Sequence, residues 1–435
     1  MSMLRIFNKA LLLCLFLVLP LLAFAQDGAY GAYTPYSIFG IGELRPEGTA
    51  YNRTMGGVGI ATRNKRFINY INPASITAKD SLSFMADIGL SQKNSIYQQG
   101  NLKSGNNTFN MYDFILSFPI YRSSAFIIGI TPFSDLGYDF KTKVTDPSII
   151  GNTGNVTYTA SGDGSVYQIF AGAAATFWNK FSVGAEVIYY FGSLDKVYNQ
   201  TFTDASYNSV TSSDNLMIRA TTGKFGLQYE QRFGRDFSMI FGATYKLKTG
   251  IRGRTVSSET LGSISDTLRY NTSNNSAVSI ADEFGFGISL KKGDRWSAEI
   301  NYLRSGWNRS GFENVSGFAV DSDVYFSTTA TNSFRAGFEI VPNRNDIRYY
   351  RKKIAYRAGA YYDESYYRLD GNKINSVGVT FGVTLPVFKF YNGITLGVDV
   401  GQKGSMKNNM VRERYVMFAI GFNIHDIWFH KPKYE

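Results

Sequence analysis

The chain alternates. From Val377, the residues Val377, Val379, Phe381, Val383, Leu385 and Val387 are apolar, and Ser376, Gly378, Thr380, Gly382 and Thr384 between them are small or polar. Phe181, Val183, Ala185, Val187, Tyr189 and Phe191 repeat the pattern with Glu186 on the other face, and so do Val416, Phe418, Ile420, Phe422 and Ile424. Ile394, Leu396, Val398 and Val400 do the same opposite Asp399. A period of two marks a strand with one face in an apolar medium.

Such segments number roughly fourteen, an even count of the kind found in bacterial transmembrane barrels. They fall at 81–93, 107–120, 124–142, 152–177, 181–204, 214–233, 236–262, 266–292, 294–306, 330–342, 352–366, 374–389, 391–402 and 412–428. Tight turns such as Trp178-Asn179-Lys180, Phe233-Gly234-Arg235-Asp236, Lys292-Gly293-Asp294-Arg295 and Tyr391-Asn392-Gly393 alternate with polar stretches at 94–106, 143–155, 204–215, 254–275 and 307–330. Short periplasmic turns and long extracellular loops are the barrel rule, and they put both termini in the periplasm. Trp178, Trp296 and Trp428 fall at the turn ends of strands and Trp307 at a loop end, where interfacial rings belong.

The start of the chain fixes the compartment. Arg5 and Lys9 precede an apolar run from Ala10 to Leu22, which ends in Ala23-Phe24-Ala25. That is a secretory signal peptide over 1–25. The rival, a lipoprotein acylated at Cys14, is opposed by the bulk of Leu13 before it. Cys14 is the only cysteine, so the expected mature chain has no disulfide and no thiol nucleophile. No run of ~18 apolar residues follows the leader, so no transmembrane helix is expected. The alternative for these strands is a soluble β-sandwich. The expected class is an all-β antiparallel transmembrane barrel in a Gram-negative outer membrane.

Removing Arg5 and Lys9 lowers a formal charge of +11 to +9. A basic surface suits lipopolysaccharide or an acidic solute, and ordinary solubility bias explains it equally well. No nucleic-acid module is visible. The only histidines are His425 and His430, and no group has metal-ligand spacing, so neither an enzyme nor a cofactor is expected.

Residues 26–80 do not alternate. They hold Arg53, then Met55-Gly56-Gly57-Val58-Gly59-Ile60-Ala61, then Asn72-Pro73-Ala74-Ser75. Gly57-Val58-Gly59 opens like a dinucleotide fingerprint, but Thr62 stands at the third glycine and no βαβ unit surrounds it. The segment is too apolar for a free tail and is expected to fold into the mouth of an 81–430 barrel as a plug, leaving 431–435 as a periplasmic tail. Met55 to Ala61, followed by Asn72-Pro73-Ala74 just before the first strand, resembles the FadL-type outer-membrane transporters of hydrophobic compounds. The resemblance implies a hatch within about fourteen strands. Secretion shuttle proteins resemble the same family, so it leaves transporter and secretion partner both open.

Glu186, Lys224, Glu230, Glu299, Arg335, Glu339, Arg357 and Asp399 lie opposite the apolar faces, which points them into the lumen. They either pair across strands or dock the plug, whose stretch 53–66 carries Arg53, Arg63, Lys65 and Arg66 and no acid. The third strand contains Pro132, Phe133 and Gly137, residues that interrupt a ladder. Either Pro132 lies at the rim, or the strand is kinked within the bilayer. The resemblance implies that such a kink opens the wall. It also implies passive uptake of a long-chain fatty acid or aromatic hydrocarbon, with sideways release into outer-membrane lipid. The alternative is a barrel that binds a protein of a secretion machine.

Overall fold

The computed structural model describes residues 33–80, 82–121, 123–204, 206–234, 236–262, 266–275, 278–314, 325–387 and 392–427. The leader with Cys14, Trp428, His430 and the expected tail lie outside the described residues.

The wall is a closed antiparallel barrel of 14 strands. They are β1 Ser83–Gln99, β2 Leu102–Tyr121, β3 Ser124–Lys143, β4 Val156–Phe177, β5 Phe181–Phe202 and β6 Val210–Phe233. β7 is Phe237–Lys246, resumed as Gly253–Leu261, and β8 is Asp266–Asn275, resumed as Glu283–Lys292. β9 Trp296–Ser305, β10 Thr331–Ile340, β11 Ala355–Leu369, β12 Asn372–Pro386, β13 Gly393–Lys403 and β14 Arg412–Ile427 complete it. β14 pairs with β1 from Ser83↔Ile427 to Gln98↔Arg412, which closes the cylinder and leaves no outer edge there. Val377, Val379, Phe381, Phe418 and Phe422 point outward and stay exposed, as residues facing lipid do. No described helix is long and apolar enough to cross a membrane.

Strand length departs from expectation. β5 has 22 residues, and at ~3.3 Å per residue with a tilt near 40° it climbs roughly 55 Å, about twice the height of an apolar band. The stretch 94–106, expected as a loop, is largely strand, and so is 254–275, a polar stretch that the expected strands 236–262 and 266–292 already overlapped; of 204–215, residues 210–215 are strand. β1 and β2 turn at Gly100, and Gly253–Leu261 pairs with Asp266–Asn275 on one side and with β6 on the other. In the β1 extension Ser95 and Tyr97 are buried on the inner face while Ile96 is exposed, so the alternation there is not one of apolar against polar residues. The Thr, Ser, Tyr and Asn residues of these extensions still satisfy a ladder.

Residues 33–80 lie inside the wall. Ile41, Val58, Ile60, Ala61 and Ala74 have no solvent exposure. On the loop side, Tyr36, Phe39 and Ile41 join Leu136, Tyr138, Leu194, Phe312, Tyr366 and Tyr367 in one apolar cluster. Trp307 belongs to it, buried with its ring 5.0 Å from that of Tyr366, so it is a core residue and not the interfacial one its position suggested. Trp178, in contrast, is exposed at its turn. On the turn side a second cluster joins Tyr51, Met55, Val58 and Phe67.

One seam of the wall is incomplete. β2 pairs with β3 from Tyr121↔Ser124 to Phe114↔Ile130 and no further. β3 continues along β4 to Lys143, through a bulge between Pro132 and Ser134. Beyond the bulge its other edge is taken by the inner segment: Glu43 and Leu44 pair with Asp135 and Ser134, Arg45 N donates to Phe133 O at 2.9 Å, and Thr34 N to Gly137 O at 2.9 Å. The broken ladder is therefore satisfied from within, as backbone at membrane depth requires.

Candidate functional site: the filled lumen and its open seam

The glycine motif turns the inner segment against the wall. Gly56 and Gly57 have φ of +70° and +77°, the left-handed region that favours glycine, and Gly56 N donates to Thr380 Oγ1 at 2.8 Å. Met55 follows the short helix Ala50–Arg53, and its side chain is in the turn-side cluster. The Asn69 amide donates to Gly59 O at 2.6 Å. Asn72 bridges segment and wall: its amide donates to Ile60 O at 2.7 Å and Leu227 O at 3.1 Å, and its oxygen accepts from Ala74 N at 3.0 Å. Pro73 opens the short 3-10 helix Pro73–Ala78.

The wall meets this motif with glycines. A Cβ added at Gly184 of β5 would lie 2.5 Å from the Pro73 backbone, at Gly226 of β6 2.0 Å from Asn72 Oδ1, and at Gly242 of β7 2.1 Å from Ile60 O. At Gly337 of β10 it would lie 2.3 Å from Met55 O, and at Gly382 of β12 2.2 Å from the Thr54 methyl. At Gly184, Gly242 and Gly337 the wall meets the backbone of the segment, and at Gly226 and Gly382 it meets the side chains of Asn72 and Thr54.

Ion pairs fasten the segment in both charge senses. Arg63 reaches Glu230 at 3.5 Å and donates to Ser182 Oγ at 2.7 Å and Gln228 at 3.2 Å. Arg66 meets Asp294 at 3.1 Å, and Lys65 meets Asp80 of its own segment at 3.4 Å. Arg53, expected to face a lumen acid, instead donates to Gly48 O at 3.0 Å and Pro46 O at 2.9 Å and stacks 4.0 Å over the Tyr112 ring. The chain curls around Arg53 and lays it on Tyr112 of β2, so it forms no ion pair with a wall carboxylate among the described residues.

The wall acids act in other ways. Glu299 accepts from Ala61 N at 2.8 Å and from the Thr62 hydroxyl, so it holds backbone, not an arginine. Glu339 pairs with Arg357 at 2.7 Å, and Arg357 lies 4.5 Å from the Tyr51 ring centroid and 4.8 Å from that of Phe67. Arg335 meets Asp363 at 3.4 Å and donates to Gly57 O at 3.3 Å. Asp399 accepts from the Tyr361 hydroxyl at 3.0 Å. Glu186 is buried opposite Lys224 in the ladder, but the Lys224 ammonium goes to Glu47 at 2.6 Å. His425 is buried in β14, next to Met85 of β1.

Glu43, Arg45 and Glu47 were not legible as site residues. Glu43 meets Lys403 at 2.8 Å, Arg45 pairs with Asp135, and Glu47 lies between Lys224 and Lys246, the latter at 3.8 Å. Burial acts to raise the Glu43 and Glu47 carboxyls, but the lysines outweigh it and hold both down at about 2. The signal available was lysine at inward positions of apolar-patterned strands. Around these pairs lies a cavity of about 280 Å³ on the loop side, lined by Glu43, Glu47, Lys93, Lys246, Asp363 and Lys403 among others. Leu44, Ile71, Phe133, Leu303, Trp307 and Met417 also line it, so charged groups stand among apolar walls, as in pockets that orient a ligand with a few polar groups.

The sequence model of the BamG family matches residues 6–435, nearly the whole chain. The chain belongs to the BamG family. No curated protein matches it in sequence. Among solved structures it is similar to the toluene transporter TodX of Pseudomonas putida, with 15% identity over 89% of this chain and 100% of that one and a TM-score of 0.58. The Ralstonia pickettii toluene transporter TbuX gives 16% identity, 87% and 98% coverage and 0.57. A Pseudomonas aeruginosa FadL homologue gives 12%, 89% and 100%, and 0.56. Identities this low carry the fold alone. The FadL-type resemblance therefore holds for architecture, and BamG is the family.

Proposed function

We propose that this BamG-family barrel resides in an outer membrane and serves there as a partner-binding component of a larger protein assembly, its lumen held shut by residues 33–80 acting as a plug. The observation that supports it best is the contact between the plug and the ring of wall glycines. A solute crossing the barrel would have to displace these close contacts between segment and wall. The extensions of β1, β2 and β8 carry exposed Ile96, Leu102 and Tyr270 among polar residues, a mixed surface that suits another protein. Extraction in mild detergent tests the reading. A partner held in fixed stoichiometry through size exclusion is expected; a barrel that emerges alone from native membranes counts against it.

The seam between β2 and β3 favours a second reading, passive uptake of a hydrophobic molecule with sideways release. Displacement of residues 34–45 from the β3 edge would expose the apolar cluster behind them to the bilayer. Uptake of labelled oleate and of toluene, with and without the gene, separates the two. Equal uptake in both strains removes transport.

A further inference from the structure

At the turn end of the lumen a cavity of about 180 Å³ opens between the plug and the wall. Ile240 of β7, Ser289 of β8, Ser297 of β9 and Glu339 of β10 form its wall side, and plug residues 62–66 its inner side. Its charged lining is five cations, Arg63, Lys65, Arg66, Lys291 and Arg344, against two acids, Asp294 and Glu339. Both acids are occupied, Asp294 by Arg66 at 3.1 Å and Glu339 by Arg357 at 2.7 Å. Arg63 and Lys65 have acids of their own in Glu230 and Asp80. That leaves Lys291 and Arg344, which form no ion pair among the described residues. The Arg344 Nε is moreover buried with no hydrogen-bond partner among them.

We propose that this cavity is a binding site for an acidic, extended segment of a partner protein on the turn side of the membrane, with Lys291 and Arg344 receiving its carboxylates. The proposal rests on the partner-binding reading and names where and by what chemistry a partner engages. Two unpaired cations in a half-enclosed polar cavity attract anions more strongly than surface cations do, because neighbouring wall and plug exclude screening water. Arg344 supplies a planar fork that fits a carboxylate in bidentate fashion. The cavity lies inside the ring of strands, so its ligand arrives along the barrel axis through water. A peptide can do so; a lipid headgroup tethered in the bilayer outside the wall cannot.

The test uses the full barrel in detergent and a fluorescein-labelled hexaglutamate peptide, followed by fluorescence anisotropy. Saturable binding is expected, weakening as salt rises from about 50 mM to about 300 mM. The double variant Lys291→Gln, Arg344→Gln should bind about tenfold or more weakly, a loss near 1.4 kcal/mol. Because neither side chain has an ion pair to lose, the variant should fold; Arg344→Lys, which keeps the charge, should retain most binding and covers the case in which it does not. No saturable binding, binding unchanged in the double variant, or displacement by inorganic phosphate at concentrations matching the peptide's carboxylates would overturn the site as a peptide site. Partner retention in native membranes is measured in parallel. A partner kept equally by wild type and double variant overturns this site and leaves the partner-binding reading standing. Peptide binding with no partner in native membranes overturns that reading, and with it the ligand's identity as a partner's segment.

Discussion

Gly359 of β11 and Gly56 of the plug approach so closely that a Cβ on Gly359 would stand 2.2 Å from the Gly56 nitrogen. No side-chain rotation relieves such a contact, since both neighbours are backbone. Gly359→Ala should therefore shift the plug or bow the strand, at a cost of about 1–3 kcal/mol. Gly223→Ala is the control, because its Cβ would meet only side chains at ordinary contact distance, Leu247 at 3.5 Å and Phe225 at 3.7 Å. Thermal unfolding followed by gel mobility should separate the two variants. Equal midpoints would mean that the plug is not seated on the wall backbone.

The arginines of the plug should prove unequal. Arg63 is enclosed and joins Glu230, Ser182 and Gln228, so Arg63→Ala should cost about 2–4 kcal/mol by leaving buried polar partners unpaired. Arg66 reaches an Asp294 whose side chain is 61% exposed, and Arg66→Ala should cost about 1 kcal/mol or less. Limited proteolysis within 33–80 reads both. A larger effect at Arg66 would reverse the assignment.

That ranking shows where the sequence stopped being legible. Period two gave all fourteen strands, because lipid imposes one apolar face on each residue pair of a strand. It could not give the extensions of β1, β2 and β6, whose runs of Ser, Asn and Thr lack the apolar alternation. The inward glycines were visible only as small residues in the alternation; that Gly184, Gly226, Gly337 and Gly359 seat one inner segment depends on strands far apart in sequence. Likewise Arg53 and Arg63 look equivalent in the chain, and only the curl of residues 46–53 lays Arg53 on the Tyr112 ring of the wall and not on a carboxylate.

Acid should loosen the loop-side half of the plug. Glu43 and Glu47 titrate near 2 in the fold, against an ordinary value of 4.5. A depressed carboxylate contributes stability that is complete above the unfolded value and is lost as pH falls through the folded one. The fastening should therefore hold at pH 6 and weaken from about pH 4.5 toward about 2. Planar-bilayer recordings should show rare openings at pH 6 and frequent ones at pH 3. Glu47→Gln, which takes the ion-pair partner from Lys224 and leaves Lys246 only Glu283 at 3.7 Å, should open the barrel already at neutral pH. Silent recordings at every pH from both proteins would show that these pairs do not govern closure.

The seam makes the last prediction. β2 and β3 part above Phe114 and Ile130, and the cause can be Pro132 with its bulge, or the plug strand that occupies the β3 edge. Proline forfeits one ladder donor, whereas Glu43, Leu44, Arg45 and Thr34 together use several groups of the edge. The second cause is the stronger. Pro132→Ala should thus leave the seam open, while Arg45→Ala, which removes the pair with Asp135, should free the edge often enough for β2 to reach it. Cysteines at Asn110 and Ser134 report on this by disulfide formation under mild oxidant. Trapping is expected to be slow in the wild-type background and in Pro132→Ala, and faster in Arg45→Ala. If Pro132→Ala alone brings fast trapping, the proline shapes the seam, and the plug only fills a gap made without it.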